Sequence, residues 1–334
     1  MTQAISTARA QRDDFVEDWF GAGERLGYDP TAKQLTRSSA APLKVFLRRE
    51  GDPAHAVSFL PGFPDGSVGW ARVRRFLPGA AQMPKLFVEY LGMGDSDKPR
   101  RYRYSTSERT DLLEALWRGL DVQSTTLVAF DFSSLVVLEH LRRRLERQAR
   151  GEPVGGPQIR GVFLFNGGLF PEGHSHPWYT TPALRLPGAG VVPWLSKRFF
   201  PLFKLLGGAM WSRDFAGRDE EARHLYAALE RRDGLSYLVR AAGFVAQHRA
   251  EGARLDFARL YPRYREQFPF LVGGSTADVF EPRQVNLAEG RFASSGLRIA
   301  RLPGGHLTTG EQPGALAQLI ADFERSLKTP PTAQ

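Results

Sequence analysis

The stretch Thr125-Thr-Leu-Val-Ala-Phe-Asp-Phe-Ser-Ser-Leu-Val-Val-Leu-Glu139 decides how this sequence folds. The apolar run before Asp131 predicts a buried strand, and the apolar periodicity after Ser133 predicts a helix. A sharp turn from strand to helix needs small residues two positions before and after its tip, and Ala129 and Ser133 meet this need. The turn also forces strained backbone at its tip, and Asp is one of the few residues besides glycine that tolerate it. The stretch therefore predicts a strand–turn–helix unit with Asp131 at its tip.

Short β-branched or apolar runs alternate with longer amphipathic stretches along most of the chain. The predicted strands are Leu43–Arg48, Ala56–Leu60, Lys85–Tyr90, Thr125–Asp131, Val162–Asn166, Phe268–Gly273 and Ile299–Leu302. Amphipathic patterns predict helices, among them Ser107–Leu120, Ser134–Arg150 and residues 314–327. Strands that alternate with helices at this spacing form a mostly parallel sheet. The predicted fold class is therefore α/β, with helices on both faces of a mostly parallel central sheet.

One long segment, residues 174–262, breaks this alternation, because it contains no convincing strand and is rich in Trp, Phe, Leu and Arg. Ligands of parallel sheets bind at the carboxyl ends of the strands, so a helical insertion there predicts a cap, or lid. A purely structural appendage is the alternative. The predicted domains are a helical N-terminal extension (1–42), an α/β core (43–173 and 263–327) and the helical cap (174–262).

Composition excludes several functional classes. The chain has 334 residues, of which 42% are hydrophobic, so it can build a folded core. It has no cysteine, which excludes disulfides, thiolate metal sites and cysteine nucleophiles. The net charge of +9 comes mostly from arginines mixed with acidic residues, as in residues 142–152, and no nucleic-acid-binding motif accompanies them. We therefore expect no nucleic-acid partner, and an arginine-rich interaction surface stays open as an interpretation.

Other patterns limit the partners, the location and the cofactors. No apolar run approaches the ~18 residues that a membrane span needs, so no membrane partner is expected. The first residues lack the charged-then-apolar pattern of a secretory signal, so a cytoplasmic location is predicted. The G-x-G pattern at residues 92–94 lacks a third glycine and a helix start, so it predicts no dinucleotide site. We expect no metal and no organic cofactor, and either a monomer or a homodimer.

A carboxylate at the tip of such a turn is a nucleophile of a particular kind. Asp131 would attack a carbon atom and form an alkyl ester, which an activated water would then cleave. The alternatives are that Asp131 merely caps the following helix, or that the turn has lost its function. Ser133 and Ser134 lie off the tip, which disfavours serine-hydrolase chemistry.

Two further residues follow predicted strands where this chemistry needs them. Asp278 comes after the strand that ends near Gly273, and His306 lies in the loop Pro303-Gly-Gly-His-Leu-Thr-Thr-Gly-Glu-Gln-Pro313. The order nucleophile, acid, histidine along the chain is typical of one class of catalytic triad. His306 would activate water, and Asp278 would fix its tautomer. The oxyanion would be held by backbone N–H groups of Phe63, after Pro61-Gly62, and of Phe132.

Taken together, these motifs resemble the α/β-hydrolase fold in the haloalkane dehalogenase and epoxide hydrolase group, and above all its mesoderm-specific-transcript-like branch. The resemblance spans about residues 43–325. It rests on Pro61-Gly-Phe-Pro64, Leu91-Gly-Met-Gly-Asp-Ser-Asp-Lys-Pro99, Phe130-Asp-Phe-Ser-Ser134, Phe165-Asn-Gly-Gly-Leu-Phe-Pro-Glu172, Arg232-Asp-Gly234 and Gln247-His-Arg249. Two departures concern the site: Pro61-Gly62 replaces a His-Gly pair, and Ser133 and Ser134 replace a glycine after the turn.

The resemblance also narrows the reaction. Dehalogenases hold the leaving halide with side-chain N–H donors, at places where this chain carries Phe132 and Phe63, which donate nothing. Epoxide hydrolases protonate the epoxide oxygen with cap tyrosines, for which Tyr179, Tyr226 and Tyr237 are candidates, each equally an ordinary core residue. The resemblance therefore implies an epoxide-hydrolase-like enzyme that acts on a small apolar molecule. The alternatives are a dehalogenase-like enzyme and a catalytically inactive binding or signalling protein.

Overall fold

The computed structural model describes residues 13–36, 42–79, 82–175, 200–241 and 254–327. Its strands are β1 (Glu24–Asp29), β2 (Gln34–Thr36), β3 (Leu43–Glu50), β4 (Val57–Leu60), β5 (Lys85–Val88), β6 (Ser124–Phe130), β7 (Gln158–Phe165), β8 (Phe270–Ser275) and β9 (Arg298–Leu302). They form one nine-stranded sheet in the order β2-β1-β3-β5-β4-β6-β7-β8-β9. The first three pairings in this order are antiparallel, and all later pairings are parallel. The mostly parallel sheet is confirmed, and each predicted strand is present.

Helices cover both faces of the sheet, as predicted. They are α1 (Asp14–Gly21), α2 (Trp70–Phe76), α3 (Thr106–Gly119), α4 (Ser133–Ala149), α5 (Phe200–Gly207), α6 (Arg218–Glu230), α7 (Gly234–Ala241), α8 (Phe257–Tyr264), α9 (Gln284–Phe292), α10 (Thr308–Glu311) and α11 (Pro313–Ser326). Alternate residues of β6 point to opposite sides, so that Leu127 and Ala129 join one apolar cluster while Val128 and Phe130 join another. Residues of α3, α4 and α8 fill the first cluster, and residues of α1, α2 and α11 fill the second.

The N-terminal extension differs from its prediction. Residues 1–42 were expected to be helical, but after α1 the chain forms β1 and β2, which extend the sheet by antiparallel pairing. The sequence of β1, Glu-Arg-Leu-Gly-Tyr-Asp, shows no apolar alternation, and only Tyr28 of this strand is buried. Backbone pairing with β3 holds this strand in place, and a hydrophobic pattern cannot reveal such pairing.

Between β7 and β8, where we predicted a cap over residues 174–262, the described residues include helices and no strand. Helices α5, α6 and α7 lie there. Helix α8 packs differently, because Phe257 and Leu260 join the cluster beneath the sheet and the Tyr264 hydroxyl donates to the Leu141 carbonyl of α4 at 2.7 Å. It therefore belongs to the layer that covers the sheet, although its first residues fall inside the predicted cap. The domain limits themselves stay a prediction.

The register of the parallel strands brings their carboxyl ends together. Leu60 at the end of β4 is opposite Ala129, Phe130 at the end of β6 is opposite Phe165, and Phe165 is opposite Gly273. The segments that follow these strands, and the segment after β9, therefore meet at one edge of the sheet. This edge carries every core residue that the sequence singled out for catalysis.

Candidate active site

Asp131 occupies the tip of a sharp turn between β6 and α4, as the sequence predicts. Its φ of +52° lies in the left-handed region, which Asp tolerates better than most residues. The turn is fixed at its base, because the Asp131 N–H donates to the Phe165 carbonyl at 3.0 Å and the Ser134 N–H donates to the Asp131 carbonyl at 3.0 Å. The Ser133 hydroxyl donates to the Pro61 carbonyl, which ties this turn to the loop after β4. Ser133 thus has a structural partner away from the tip.

The loop after β4 supplies a backbone donor to the Asp131 carboxylate. The Phe63 N–H donates to Asp131 Oδ2 at 2.8 Å. The loop closes on itself, because the Gly66 N–H donates to the Gly62 carbonyl at 3.2 Å. The second predicted donor, the N–H of Phe132, follows Asp131 directly and begins the helical backbone of α4. A carboxylate held in this way has one oxygen fixed by the backbone and one left for chemistry.

His306 stands between two carboxylates. Its Nε2 lies 3.3 Å from Asp131 Oδ1, and its Nδ1 lies 2.9 Å from Asp278 Oδ2. The other oxygen of Asp278 accepts the backbone N–H groups of Phe280, at 2.8 Å, and of Glu281, at 3.2 Å. All three side chains are buried. The structure therefore brings Asp131, His306 and Asp278 together in the order that a nucleophile, a base and an orienting acid require.

The two carboxylates determine the charge of the imidazole. Burial alone would lower the pKa of His306, but the negative charges of Asp278 and Asp131 and their hydrogen bonds outweigh it and raise the pKa well above its usual value. The imidazole is therefore charged while Asp131 is ionised. The rings next to the imidazole are apolar. The ring centroids of Phe280 and Phe130 lie 4.8 and 5.8 Å from the centroid of the His306 ring.

Comparison with solved structures decides the fold. The haloalkane dehalogenase DatA from Agrobacterium tumefaciens C58 superposes with a TM-score of 0.64, covering 92% of this chain and 98% of that chain at 20% identity. This protein has the α/β-hydrolase fold. At this level of identity the similarity establishes the fold and leaves the reaction open.

Sequence similarity to curated proteins is confined to part of the chain. The mesoderm-specific transcript homolog protein of Bos taurus is 35% identical over 120 residues, which are 35% of this chain and 34% of that protein. A haloalkane dehalogenase of Sphingobium indicum is 38% identical over 104 residues, 29% of this chain and 32% of that protein. The matched segments thus span about a third of the length of these relatives. No protein-family model matches this α/β-hydrolase-fold chain.

Asn166, which the sequence placed only in a motif, supports the backbone of His306 from the position directly after β7. Its φ is +49°, and its Nδ2 donates to the His306 carbonyl at 2.7 Å while its Oδ1 accepts the Ser275 N–H at 2.7 Å. One amide thereby joins the ends of β7 and β8 to the loop after β9. The signal was an Asn-Gly-Gly run directly after a strand, since Asn tolerates positive φ better than most residues.

Two buried charged residues beside the site escaped the sequence analysis. Glu281 lies with its Oε1 2.5 Å from His174 Nδ1, and burial together with the nearby Asp278 raises its pKa well above the usual value. Arg109 of α3 stacks its guanidinium 4.6 Å over the Phe132 ring, and burial lowers its pKa to about 10. Arg109 could have been noticed, because it falls on the apolar stripe of a predicted helix. Glu281 had no such signal.

The structure places the candidate cap tyrosines in separate surroundings. Tyr226 packs against the rings of Phe200 and Phe203, at 5.4 and 5.2 Å. The Tyr237 hydroxyl accepts a hydrogen bond from exposed Arg100 at 3.4 Å. Tyr179 lies outside the described residues. The assignment of a proton-donating tyrosine therefore stays a prediction.

Within the described ranges, no cluster of three or more His, Cys, Asp or Glu side chains has the geometry of a metal site. In the same ranges, no helix is both long enough and apolar enough to cross a membrane.

Proposed function

We propose that this protein is a hydrolase in which Asp131 attacks a carbon atom of the substrate and forms an alkyl ester. One observation carries the proposal: the Asp131 carboxylate stands at a strained turn, binds the Phe63 N–H through Oδ2 and faces His306 through Oδ1. A residue that only capped a helix would need neither the strained backbone nor the imidazole. The partial sequence similarity to a haloalkane dehalogenase supports the same reaction class.

In the first half-reaction, Asp131 Oδ1 forms a bond to a substrate carbon. Oδ2 keeps its hydrogen bond to Phe63 and becomes the carbonyl oxygen of the ester. With an epoxide, the carbon–oxygen bond of the ring breaks and the oxygen takes up a proton from an acid of the cap, for which Tyr179, Tyr226 and Tyr237 are the candidates. Ring opening thus needs no external leaving group.

In the second half-reaction, His306 acts as the base. Esterification removes the negative charge of Asp131, so the pKa of His306 falls. The imidazole can then release its proton, which returns through solvent to the deprotonated cap acid, and accept another from water. Water attacks the carbonyl carbon of the ester, which is Cγ of Asp131. Negative charge develops on Oδ2, and the N–H groups of Phe63 and Phe132 stabilise it. The bond from this carbon to Oδ1 then breaks, and Oδ1 leaves as the alcohol after taking a proton from the His306 imidazolium. The new carboxyl group returns a proton to His306. The oxygen of the water stays on Asp131.

We infer that the substrate is a small apolar epoxide, in preference to a haloalkane. The leaving halide of a dehalogenase needs side-chain N–H donors, and the residues beside the nucleophile, Phe63 and Phe132, have none. The relative from Sphingobium indicum favours dehalogenation as the second candidate. A binding protein that has kept the site without turnover is the third.

The test uses styrene oxide and 1-bromohexane as probes, in heavy-oxygen water, with enzyme in excess over probe. The ester route places heavy oxygen in the Asp131 peptide and none in the first-turnover product. Direct attack by water places it in the product and leaves the peptide unlabelled, which would contradict the proposal.

His306→Gln provides the second arm of the test. This variant should form the ester but not hydrolyse it, so its mass should increase by the whole epoxide. The matched control is His140→Gln, a buried histidine of α4 remote from the turn, which should show no increment. A probe that raises the melting temperature of the wild type without being consumed or attached would support the binding alternative instead.

A further inference from the structure

The carboxylate of Glu311 connects the loop that carries His306 to the segment before α6. Its Oε2 accepts the Gly305 N–H at 2.9 Å and the Ser212 N–H at 3.1 Å, and its other oxygen accepts the Ser212 hydroxyl. Gly305 directly precedes the base. Ser212 lies between β7 and β8, in the helical part of the chain that includes α5 and α6. A single side chain therefore binds both segments.

Close backbone packing shows that this junction is built into the fold. The Leu307 N–H donates to the Met210 carbonyl at 2.9 Å, so the two segments are also joined directly. A Cβ atom on Gly305 would lie 2.6 Å from the Ser212 nitrogen and 2.7 Å from the Trp211 carbonyl carbon, so only glycine allows this approach. Gly304, at φ +118°, turns the chain so that Glu311 can reach back over it.

The other supports of His306 act from different sides. Asn166 holds the His306 carbonyl from the sheet, and Asp278 holds the imidazole itself. Glu311 holds the backbone on the N-terminal side of the base, and it uses a carboxylate, whose hydrogen bonds to N–H donors are stronger than those of a neutral acceptor. Removal of this support would leave the imidazole free to shift relative to Asp131.

We propose that Glu311 is a positioning residue, which fixes His306 for ester hydrolysis by clamping Gly305 to Ser212. The proposal rests on the proposed function, because it assigns His306 to the second half-reaction only. Asp131 is held by its own turn and by the Phe63 N–H, whereas the hydrogen bonds of Glu311 go to Gly305 and Ser212. The loss of Glu311 should therefore slow ester hydrolysis and leave ester formation unchanged.

Glu311→Ala tests this with styrene oxide in single-turnover mass measurements. Ester formation should match the wild type, and ester hydrolysis should slow by about 10- to 100-fold, because small displacements of a catalytic group cost this much. Glu311→Gln should restore hydrolysis to within about threefold, since an amide oxygen can accept both N–H groups while its NH2 donates to the Ser212 hydroxyl. Glu289→Ala, which breaks a surface ion pair with Arg301, is the matched control and should change neither rate.

A second measurement needs no substrate. In the wild type, the Nδ1–H of His306 should give a downfield proton signal from its bond to Asp278, identified by its loss in His306→Gln. Glu311→Ala should shift or broaden this signal, and Glu311→Gln should retain it. If Glu311→Ala does not fold, Ser212→Ala, which removes one of the three bonds, should slow hydrolysis by a few-fold.

The outcomes separate the two proposals. If the ester forms and His306→Gln traps it, but Glu311→Ala hydrolyses it at the wild-type rate and keeps the imidazole signal, the positioning role is wrong and the hydrolase stands. If no ester forms in any variant, but the imidazole signal moves in Glu311→Ala, Glu311 still holds His306 in place, but the proposed reaction and the role of Glu311 in it are wrong. Equal slowing of both half-reactions would overturn the positioning role.

Discussion

Two buried histidines, in each of which Nδ1 pairs with a carboxylate, show what distinguishes the site from the rest of the molecule. His306 Nδ1 lies 2.9 Å from Asp278, and His140 Nδ1 lies 2.9 Å from Glu114. The two rings are 3% and 1% exposed. The surroundings of Nε2 differ between the two rings. His306 Nε2 lies 3.3 Å from Asp131 Oδ1, whereas His140 Nε2 has no hydrogen-bond partner in the part of the chain that the structure describes.

At His306, a second carboxylate reverses the effect of burial on the pKa of the imidazole. The pKa of His140 is lowered, because burial and the nearby Arg144 and Arg147 outweigh the attraction of Glu114. The pKa of His306 is raised, because two carboxylates outweigh the same burial. A His–carboxylate pair alone therefore marks a structural contact. At His306 the second carboxylate, Asp131, makes the charge of the imidazole depend on the state of Asp131.

Asp131→Asn should have the largest effect, because it removes the carboxylate that distinguishes His306 from His140. Turnover of styrene oxide should fall by more than about 10³-fold, because the proposed nucleophile is lost while Asn still tolerates the positive φ. The pKa of His306 should fall below its wild-type value, since one stabilising anion is gone, and His306 should then resemble His140. Turnover assays and an NMR titration of the imidazoles measure both effects, and the intact mass confirms that the amide has not been hydrolysed.

Wild-type turnover in Asp131→Asn, or an unchanged pKa of His306, would show that Asp131 is not the partner that sets this charge. The matched control is Asp322→Asn, an exposed residue of α11 paired with Arg325. It should leave both turnover and the imidazole titration as in the wild type.

Asp278→Asn removes the contact that the two histidines share. The amide would keep the size of the side chain, but its bond to the imidazole would be neutral, so the pKa of His306 should fall and the tautomer would no longer be fixed. We expect ester hydrolysis to slow by about 10²- to 10⁴-fold, with ester formation less affected. Rapid-quench mass measurement separates the two steps, and equal slowing of both would contradict the assignment of Asp278 to the base.

The sequence predicted the parts of the fold and site that depend on local pattern. The turn at Asp131 was visible because strain and small neighbours leave a signature within a few residues, and His306 and Asp278 were visible because each follows a strand. Partners from distant segments leave no such signature. Glu281 meets His174 from across 107 positions of sequence, and β1 is held by pairing with β3 and not by an apolar pattern of its own. Such contacts are fixed by the register of the sheet, which sequence spacing does not contain.

His140→Leu tests the other half of the comparison. The substitution removes the hydrogen bond to Glu114 and leaves that carboxylate to Arg143 and Arg147. The free energy of unfolding should fall by about 1–3 kcal/mol, the usual cost of a lost buried hydrogen bond. Turnover of styrene oxide should stay within about twofold of the wild type, because His140 lies away from the reacting atoms. Urea unfolding and turnover assays measure these effects, and a large loss of turnover in a folded variant would mean that the two histidines are coupled.

Two carboxyl groups, of half-buried Glu114 and buried Asp65, show the same contrast for acids. At His140, burial opposes ionisation of Glu114, but the bond to His140 and the charges of Arg143 and Arg147 lower its pKa to about 2. Near the site, burial and the charge of Asp131 raise the pKa of Asp65 to about 7, and its Oδ1 has no hydrogen-bond partner among the described residues. An acid without a compensating cation therefore stays protonated in the folded state at pH values where the unfolded chain ionises it.

Asp65→Asn should remove the cost of burying this acid, so the variant should gain stability over the wild type in a pH-dependent way. Between pH 4 and pH 7 the folded wild type holds a proton on Asp65 that the unfolded chain has released, so wild-type stability falls as the pH rises. The variant lacks this loss, and its free energy of unfolding relative to the wild type should rise by about 1 kcal/mol for each pH unit in this window. Urea unfolding at pH 4.5, 5.5 and 6.5 measures the slope, with Glu289→Gln at the surface as a control that should show little slope. A flat difference for Asp65→Asn would mean that Asp65 is ionised in the folded protein, and the contrast with Glu114 would then be lost.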